Sequence, residues 1–174
     1  MPVLIKIDSD KFGTITQKTG SKEVAGRNSN TTAPLSEDYC LTFDWGYEFK
    51  QPHNDSFGAA DHSQASLESE VFVKVPMYHS ISALLLNVMA GKDNIKELSV
   101  YEVDRAPTGG QNKVNMHASF KDGIVTDLVL EQGDQRDAKE KGRGQLVIRM
   151  KFQTIDIDDK VINVSGHLDT TNAS

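Results

Sequence analysis

Four stretches of this chain place an apolar residue at every second position, and that period constrains the fold more than any other feature. Leu41, Phe43, Trp45 and Tyr47 alternate with Thr42, Asp44, Gly46 and Glu48. Val71, Val73 and Val75 bracket Phe72 and Lys74, and Val114, Met116, Ala118 and Phe120 bracket Asn115, His117 and Ser119. Leu146, Ile148, Met150 and Phe152 leave Arg149 and Lys151 on the opposite face. Successive side chains of a strand point to opposite faces, so this spacing predicts half-buried strands. Shorter candidates are Val3–Ile7, Phe12–Gln17, Leu98–Val103, Ile124–Leu130 and Val161–Val164. One segment has the other period. Ile81, Leu84, Leu85, Val88 and Met89 fall on a single helical face. Ser80 is the expected N-cap and Gly91 the expected left-handed C-terminal cap of a helix Ser80–Ala90.

Many short strands with one helix predict a mainly β fold: a small β-barrel of two packed antiparallel sheets, with one short α-helix at about 80–90. The 174 residues suit one domain, 1–174. Polar loops are expected at about 19–34, 51–69 and 134–144, and a frayed tail at 166–174.

The net charge of −6 argues against nucleic acid or an anionic membrane as the main partner. The longest apolar run, Ala83–Leu86, falls far short of the ~20 residues of a spanning helix, so membrane insertion is not expected. The N-terminal residues lack the basic and apolar regions of a secretory signal. The Asn-x-Ser/Thr matches at Asn30, Asn54, Asn163 and Asn172 read as chance in an Asn- and Ser-rich chain.

Chemistry-bearing clusters are sparse. His53, Asp55, Asp61 and His62 share one loop, but a polar loop collects such residues by composition, and no metal is expected. Asp8 and Asp10, and Asp156, Asp158 and Asp159, resemble fragments of calcium loops without the full ligand spacing; turn and strand-end acids explain them better. His79, His117 and His167 read as structural or solvent-facing. Cys40, the only cysteine, reads as a core or boundary residue. Gly142-Arg143-Gly144 is too short for an RNA-binding tract. No nucleophile-elbow, phosphate-loop or zinc-hydrolase motif occurs, so catalytic residues and cofactors are expected to be none.

The order of segments carries a resemblance. Phe43-Asp-Trp-Gly-Tyr-Glu-Phe-Lys-Gln-Pro52, opening the loop 51–69, is similar to the strand-to-loop passage of the hemolysin-coregulated protein family. The strand Glu70–Val75, the helix His79–Gly91, the strand Ile95–Arg105, the region Phe120–Asp127 and the strand Gln145–Asp156 follow in the family's order. The resemblance spans roughly Val3 to Val164. The loop Thr19–Pro34 is longer and more polar than the family's usual link, and Asp134–Gly144 is unusually charged.

The resemblance implies a non-enzymatic structural subunit of a type VI secretion system. Homo-hexameric rings would stack into a hollow tube, with sheath and spike proteins as partners and small effectors in the lumen. It implies assembly in the bacterial cytoplasm and later export. It also implies an inter-ring loop carrying Gln51, Pro52, His53, Phe57, Gly58, Asp61 and His62. The tube protein of a contractile phage tail shares these expectations. A monomeric ligand-binding barrel, with Phe43, Trp45 and Tyr47 either lining a pocket or filling the core, is the alternative from another class.

Overall fold

The computed structural model describes residues 2–19, 38–50, 68–104, 113–132 and 144–170. The inter-ring loop residues Gln51, Pro52, His53, Phe57, Gly58, Asp61 and His62 lie outside them. So do Asp55 and most of the loops 19–34 and 134–144.

Within the described residues the chain forms β1 (Val3–Ser9), β2 (Gly13–Thr14), β3 (Cys40–Leu41), β4 (Asp44–Lys50), β5 (Glu68–Pro76), α1 (His79–Ala90), β6 (Ile95–Asp104), β7 (Lys113–Glu131), β8 (Gln145–Asp159) and β9 (Val164–Asp169). The mainly β fold with one short helix is the expected one. All strands belong to one antiparallel sheet, ordered β2-β1-β6-β7-β8-β5-β4, with β3 against β1 and β9 against β8.

The sheet closes at a seam. Cys40 and Leu41 pair with Ile5 and Leu4, and Thr42 N–H donates to the Val3 carbonyl at 3.0 Å. One residue later, Phe43 N–H donates to the Lys74 carbonyl at 2.8 Å, and β4 continues along β5. Residues 40–44 thus carry the chain from one end of the sheet to the other. This bend breaks the alternation read from the sequence. Leu41 and Phe43 are exposed, whereas Trp45 and Phe49 pack against the core and Tyr47 stays half-exposed beside Phe120, 6.2 Å between centroids.

Interior rows run across five strands in register. Ile7, Leu98, Phe120, Ile155 and Leu168 form one, and Ile5, Val100, Ala118, Ile157 and Gly166 the next. Val71, Val73, Val75, Leu146, Ile148 and Met150 complete the core and are fully buried. α1 adds Ile81, Leu85 and Val88 to the same cluster.

Several local expectations change. The N-cap of α1 is Tyr78, not Ser80, and no side chain caps that end. Gly91 is right-handed at φ −83; the left-handed residue is Lys92 at φ 49. Lys92 N–H to Met89 O and Asp93 N–H to Val88 O form the paired C-terminal bonds of a Schellman motif, shifted one residue along. Phe12–Gln17 contributes only the two residues of β2. The predicted strands 114–120 and 124–130 are one strand, β7, kinked where Asp122 takes φ 57. Gly123 follows because the ring of Phe152, its partner on β8, lies over it; a Cβ there would sit 2.4 Å from Phe152 Cδ1.

The end of the chain differs most. Of the expected strand Val161–Val164, residues 161–163 are a turn and only Val164 lies in a strand, as the first residue of β9. Asp159 Oδ1 accepts the N–H groups of Val161 at 2.8 Å and Ile162 at 3.1 Å, and Asn163 turns the chain at φ 56. The segment expected to fray from 166 onward is, over 166–169, part of β9, because the open edge of β8 offers its backbone a ladder. Thr170 N–H extends that ladder to the Gln153 carbonyl at 2.7 Å.

Candidate assembly surfaces

Among the described residues, those singled out for chemistry come together only on the outer sheet face, where His117 lies opposite Asp158 and His167 opposite Asp156. Cys40 is buried, and burial pushes its thiol up to about 11, which leaves it protonated and unreactive. Asp8 accepts from the Thr14 hydroxyl at 2.7 Å, Asp159 caps its turn, and Asp158 lies 3.7 Å from Lys160. These acids serve turns and strand ends. His167 lies on β9, not in a frayed tail, with Nδ1 against the Asp156 carboxylate. His79 opens α1. Arg149, on the outer face of β8, pairs with Glu70 at 2.9 Å. Among the described residues no three His, Cys, Asp or Glu side chains gather as a metal site would require.

What the described surface does present is a pair of unlike features. Around the middle of β8, the turn after β1, the loop after α1 and the kink of β7 surround an open cleft of about 440 Å³. Its lining includes Asp10, Asn94, Asp122, Ile124 and Lys151. The local sequence builds this cleft firmly. Asp93, itself buried, accepts from Lys11 N–H and Asn94 N–H at 2.9 Å each. Asp10 N–H donates to the Asn94 carbonyl at 3.1 Å. Ile124 stands half-exposed on the rim.

The turn 160–163 follows the last residue of β8, roughly 23 Å from the cleft at about 3.3 Å per residue. It carries Val161 and Ile162 at 58 and 68% exposure beside Lys160, and Val164, 57% exposed, opens β9 directly after it. Three adjacent β-branched side chains held in water by a capped turn are a surface that burial would stabilise. Sequence reading missed this cluster because its apolar residues were assigned to a strand. The one available signal was Asp159 two residues before Val161, a common turn-forming arrangement.

The third feature is an open strand edge. β6 leaves β7 at Gly123, so among the described residues 124–131 of β7 pairs with β8 alone. Val129 and Leu130 are exposed along it. Unprotected edges of this kind are ready to take another strand.

No protein-family model matches this sequence, and no curated protein sequence matches it. Solved structures do match. A crystal structure of an Hcp protein shares 17% identity with 97% of each chain covered and a TM-score of 0.75. The secreted protein Hcp3 from Pseudomonas aeruginosa is similar at 16% identity, 97% of each chain and a TM-score of 0.66. A type VI secretion system effector from Yersinia pestis is similar at 18% identity, covering 96% of this chain and 98% of that one, with a TM-score of 0.57. The closed sheet and the helix of the described residues are therefore the fold of the Hcp proteins, over nearly the whole length of this chain.

Proposed function

We propose that this chain is a structural tube subunit of a type VI secretion system. Copies join into hexameric rings, and rings stack head to tail into a hollow tube that a contracting sheath drives outward behind a spike. Small effectors travel in the lumen. Assembly takes place in the bacterial cytoplasm, and the tube protein is exported with its cargo. The work lies in assembly geometry rather than catalysis.

The observation that carries this reading is that the cleft and the apolar turn are unlike surfaces held apart along β8. A surface that meets a different surface on the next copy is heterologous, and such contacts repeat into rings or open stacks rather than a closed dimer. Val161 and Ile162 offer apolar area that fits the rim at Ile124, and Lys160 offers a cation to Asp10 and Asp122, in a cleft that Lys151 also lines. The open edge of β7 suits the lateral contact within a ring, where strand addition supplies main-chain hydrogen bonds. The loop carrying Gln51, Pro52, His53, Phe57, Gly58, Asp61 and His62 is proposed as a further inter-ring contact. A monomeric ligand-binding barrel fits less well, because Phe120, Ile148, Met150 and Leu146 fill the barrel interior. A phage tail tube would have the same subunit; capsid genes beside this one would favour it.

Light scattering on a sizing column with negative-stain imaging tests the proposal. A mass near six subunits and ring-shaped particles are expected, with stacks at higher concentration. The double variant Val161→Asp, Ile162→Asp should keep rings and lose stacks. A monomer at high concentration sinks the tube reading, and unimpaired stacking of the double variant sinks the end-to-end contact.

A further inference from the structure

The outer face of the five-strand sheet is polar beyond a small apolar cluster of Leu4, Tyr39 and Val103, and one member of it is out of place. Leu4, Tyr101, His117, Asp158 and Ser165 form a row across β1, β6, β7, β8 and β9. Lys6, Ser99, Ser119, Asp156 and His167 form the next. Most polar groups here are satisfied: the Ser99 and Ser119 hydroxyls both donate to Glu97 Oε1, at 3.0 and 2.9 Å. The His117 Nε2 is sealed from solvent and finds no hydrogen-bond partner among the described residues. The ring lies flat on Tyr101, centroids 4.3 Å apart and planes 10° from parallel. Tyr101 in turn meets Tyr39 edge-on at 5.5 Å.

A neutral imidazole tolerates this site and an imidazolium does not. The charged ring must place two N–H donors, and Nε2 has no acceptor among the described residues. Burial accordingly holds the His117 pKa below its ordinary value. Every neighbouring element contributes charge. Glu97 on β6 and Asp156 and Asp158 on β8 favour a proton, while Lys160 in the turn opposes it. Asp156 is also engaged by His167 of β9, and Asp158 by Lys160 and Ser165. The turn itself is docked on β7 by Lys160 N–H, which donates to the Asn115 carbonyl at 2.8 Å, two residues from His117.

We propose that His117 is an acid-sensitive latch for the turn 160–163: taking up a proton, it leaves the Tyr101 stack, competes with Lys160 for Asp158, and releases the turn from β7. The consequence for assembly rests on the head-to-tail reading, since that turn is the proposed stacking end. Tubes would then be held at neutral pH and loosened in an acidic compartment.

Amide hydrogen exchange on the full chain between pH 7.5 and 5.5, corrected for intrinsic rates, reads the latch directly. Opening of residues 160–164 should increase by up to about tenfold per pH unit below roughly 6.5. His117→Phe keeps the stack but not the proton, so its opening should be independent of pH and its stacks should survive acid. Exchange that is flat in the parent protein, or equally pH-dependent in His117→Phe, overturns the latch. Exchange that behaves as expected in a protein that forms no stacks at any pH supports the latch and sinks the stacking reading instead. If His117→Phe does not fold, the imidazole titration of the parent protein followed by NMR decides. A His117 midpoint below about 6.5 supports the latch, and one at or above it overturns it.

Discussion

The two halves of β8 have the same backbone environment and different fates. From Gln145 to Met150 it pairs with β7 on one side and β5 on the other; from Thr154 to Asp159 it pairs with β7 and β9. Both halves are paired on two sides, the first with a bulge between Val125 and Asp127 of β7. In the first half Leu146, Ile148 and Met150 are fully buried, whereas alongside the second the neighbouring strand β9 is largely exposed. Backbone pairing therefore shapes both halves, but the first is anchored in the core by Leu146, Ile148 and Met150 and the second by Ile155 alone, with Ile157 partly buried beside it. Stability follows apolar burial, because a hydrogen bond made in place of one to water contributes only about 0.5–1.5 kcal/mol net.

Substitutions can break this contrast or sharpen it. Ile148→Ala, in the first half, should have the largest effect, about 2–5 kcal/mol in urea unfolding at fixed protein concentration. A cost below about 1 kcal/mol would mean that the core is not the anchor. The glycines give a paired test. At Gly123 a Cβ would meet Phe152 Cδ1 at 2.4 Å and the Lys151 carbonyl at 2.5 Å, and at Gly166 it would meet nothing within 4 Å. Gly123→Ala should cost about 1–3 kcal/mol through overpacking. Gly166→Ala on β9 should stay within about 0.5 kcal/mol of the parent. Equal effects at the two positions would erase the distinction. Asp159→Ala removes the acceptor of two exposed turn N–H groups and should cost about 1 kcal/mol. Its exchange signature should be confined to 160–164, and spread into β7 would show that the hairpin and the core unfold together.

The smallest effect is a pH slope. The folded-state pKa of His117 is lowered by burial, so the unfolded chain binds more protons just below the ordinary value near 6.5. Stability from this group is complete above that pH and is lost as pH falls from there toward the lowered folded value. Urea midpoints between pH 7.5 and 5.5 should drop in the parent protein and drop less in His117→Phe. A parent midpoint that rises on acidification would contradict the burial of that ring.

Legibility in the sequence tracks the same contrast. Where a strand has one face in the core, as in 71–75 and 146–152, period-two spacing located it and named its inward residues. The helix face Ile81, Leu85, Val88 was legible for the matching reason at its own period. Where no core selects a face, reading failed. β9 has Val164 and Leu168 with Gly166 between them, too few apolar residues to show a period. At the seam, the aromatic alternation 41–47 looked like one face, yet the bend at 43 sends Leu41 and Phe43 outward and Trp45 inward.

By itself, then, the sequence determined the class of fold, the helix and the inward residues of the central strands, because burying apolar side chains writes a local period into the chain. Tertiary structure alone decided how 40–44 closes the sheet and that β7 runs unbroken through its kink. It also decided that the last strand is held by its neighbour's edge, and that a polar cleft and an apolar turn lie apart along β8. Those outcomes depend on contacts between residues far apart in sequence and on backbone groups that every residue carries alike, and neither leaves a mark on local composition.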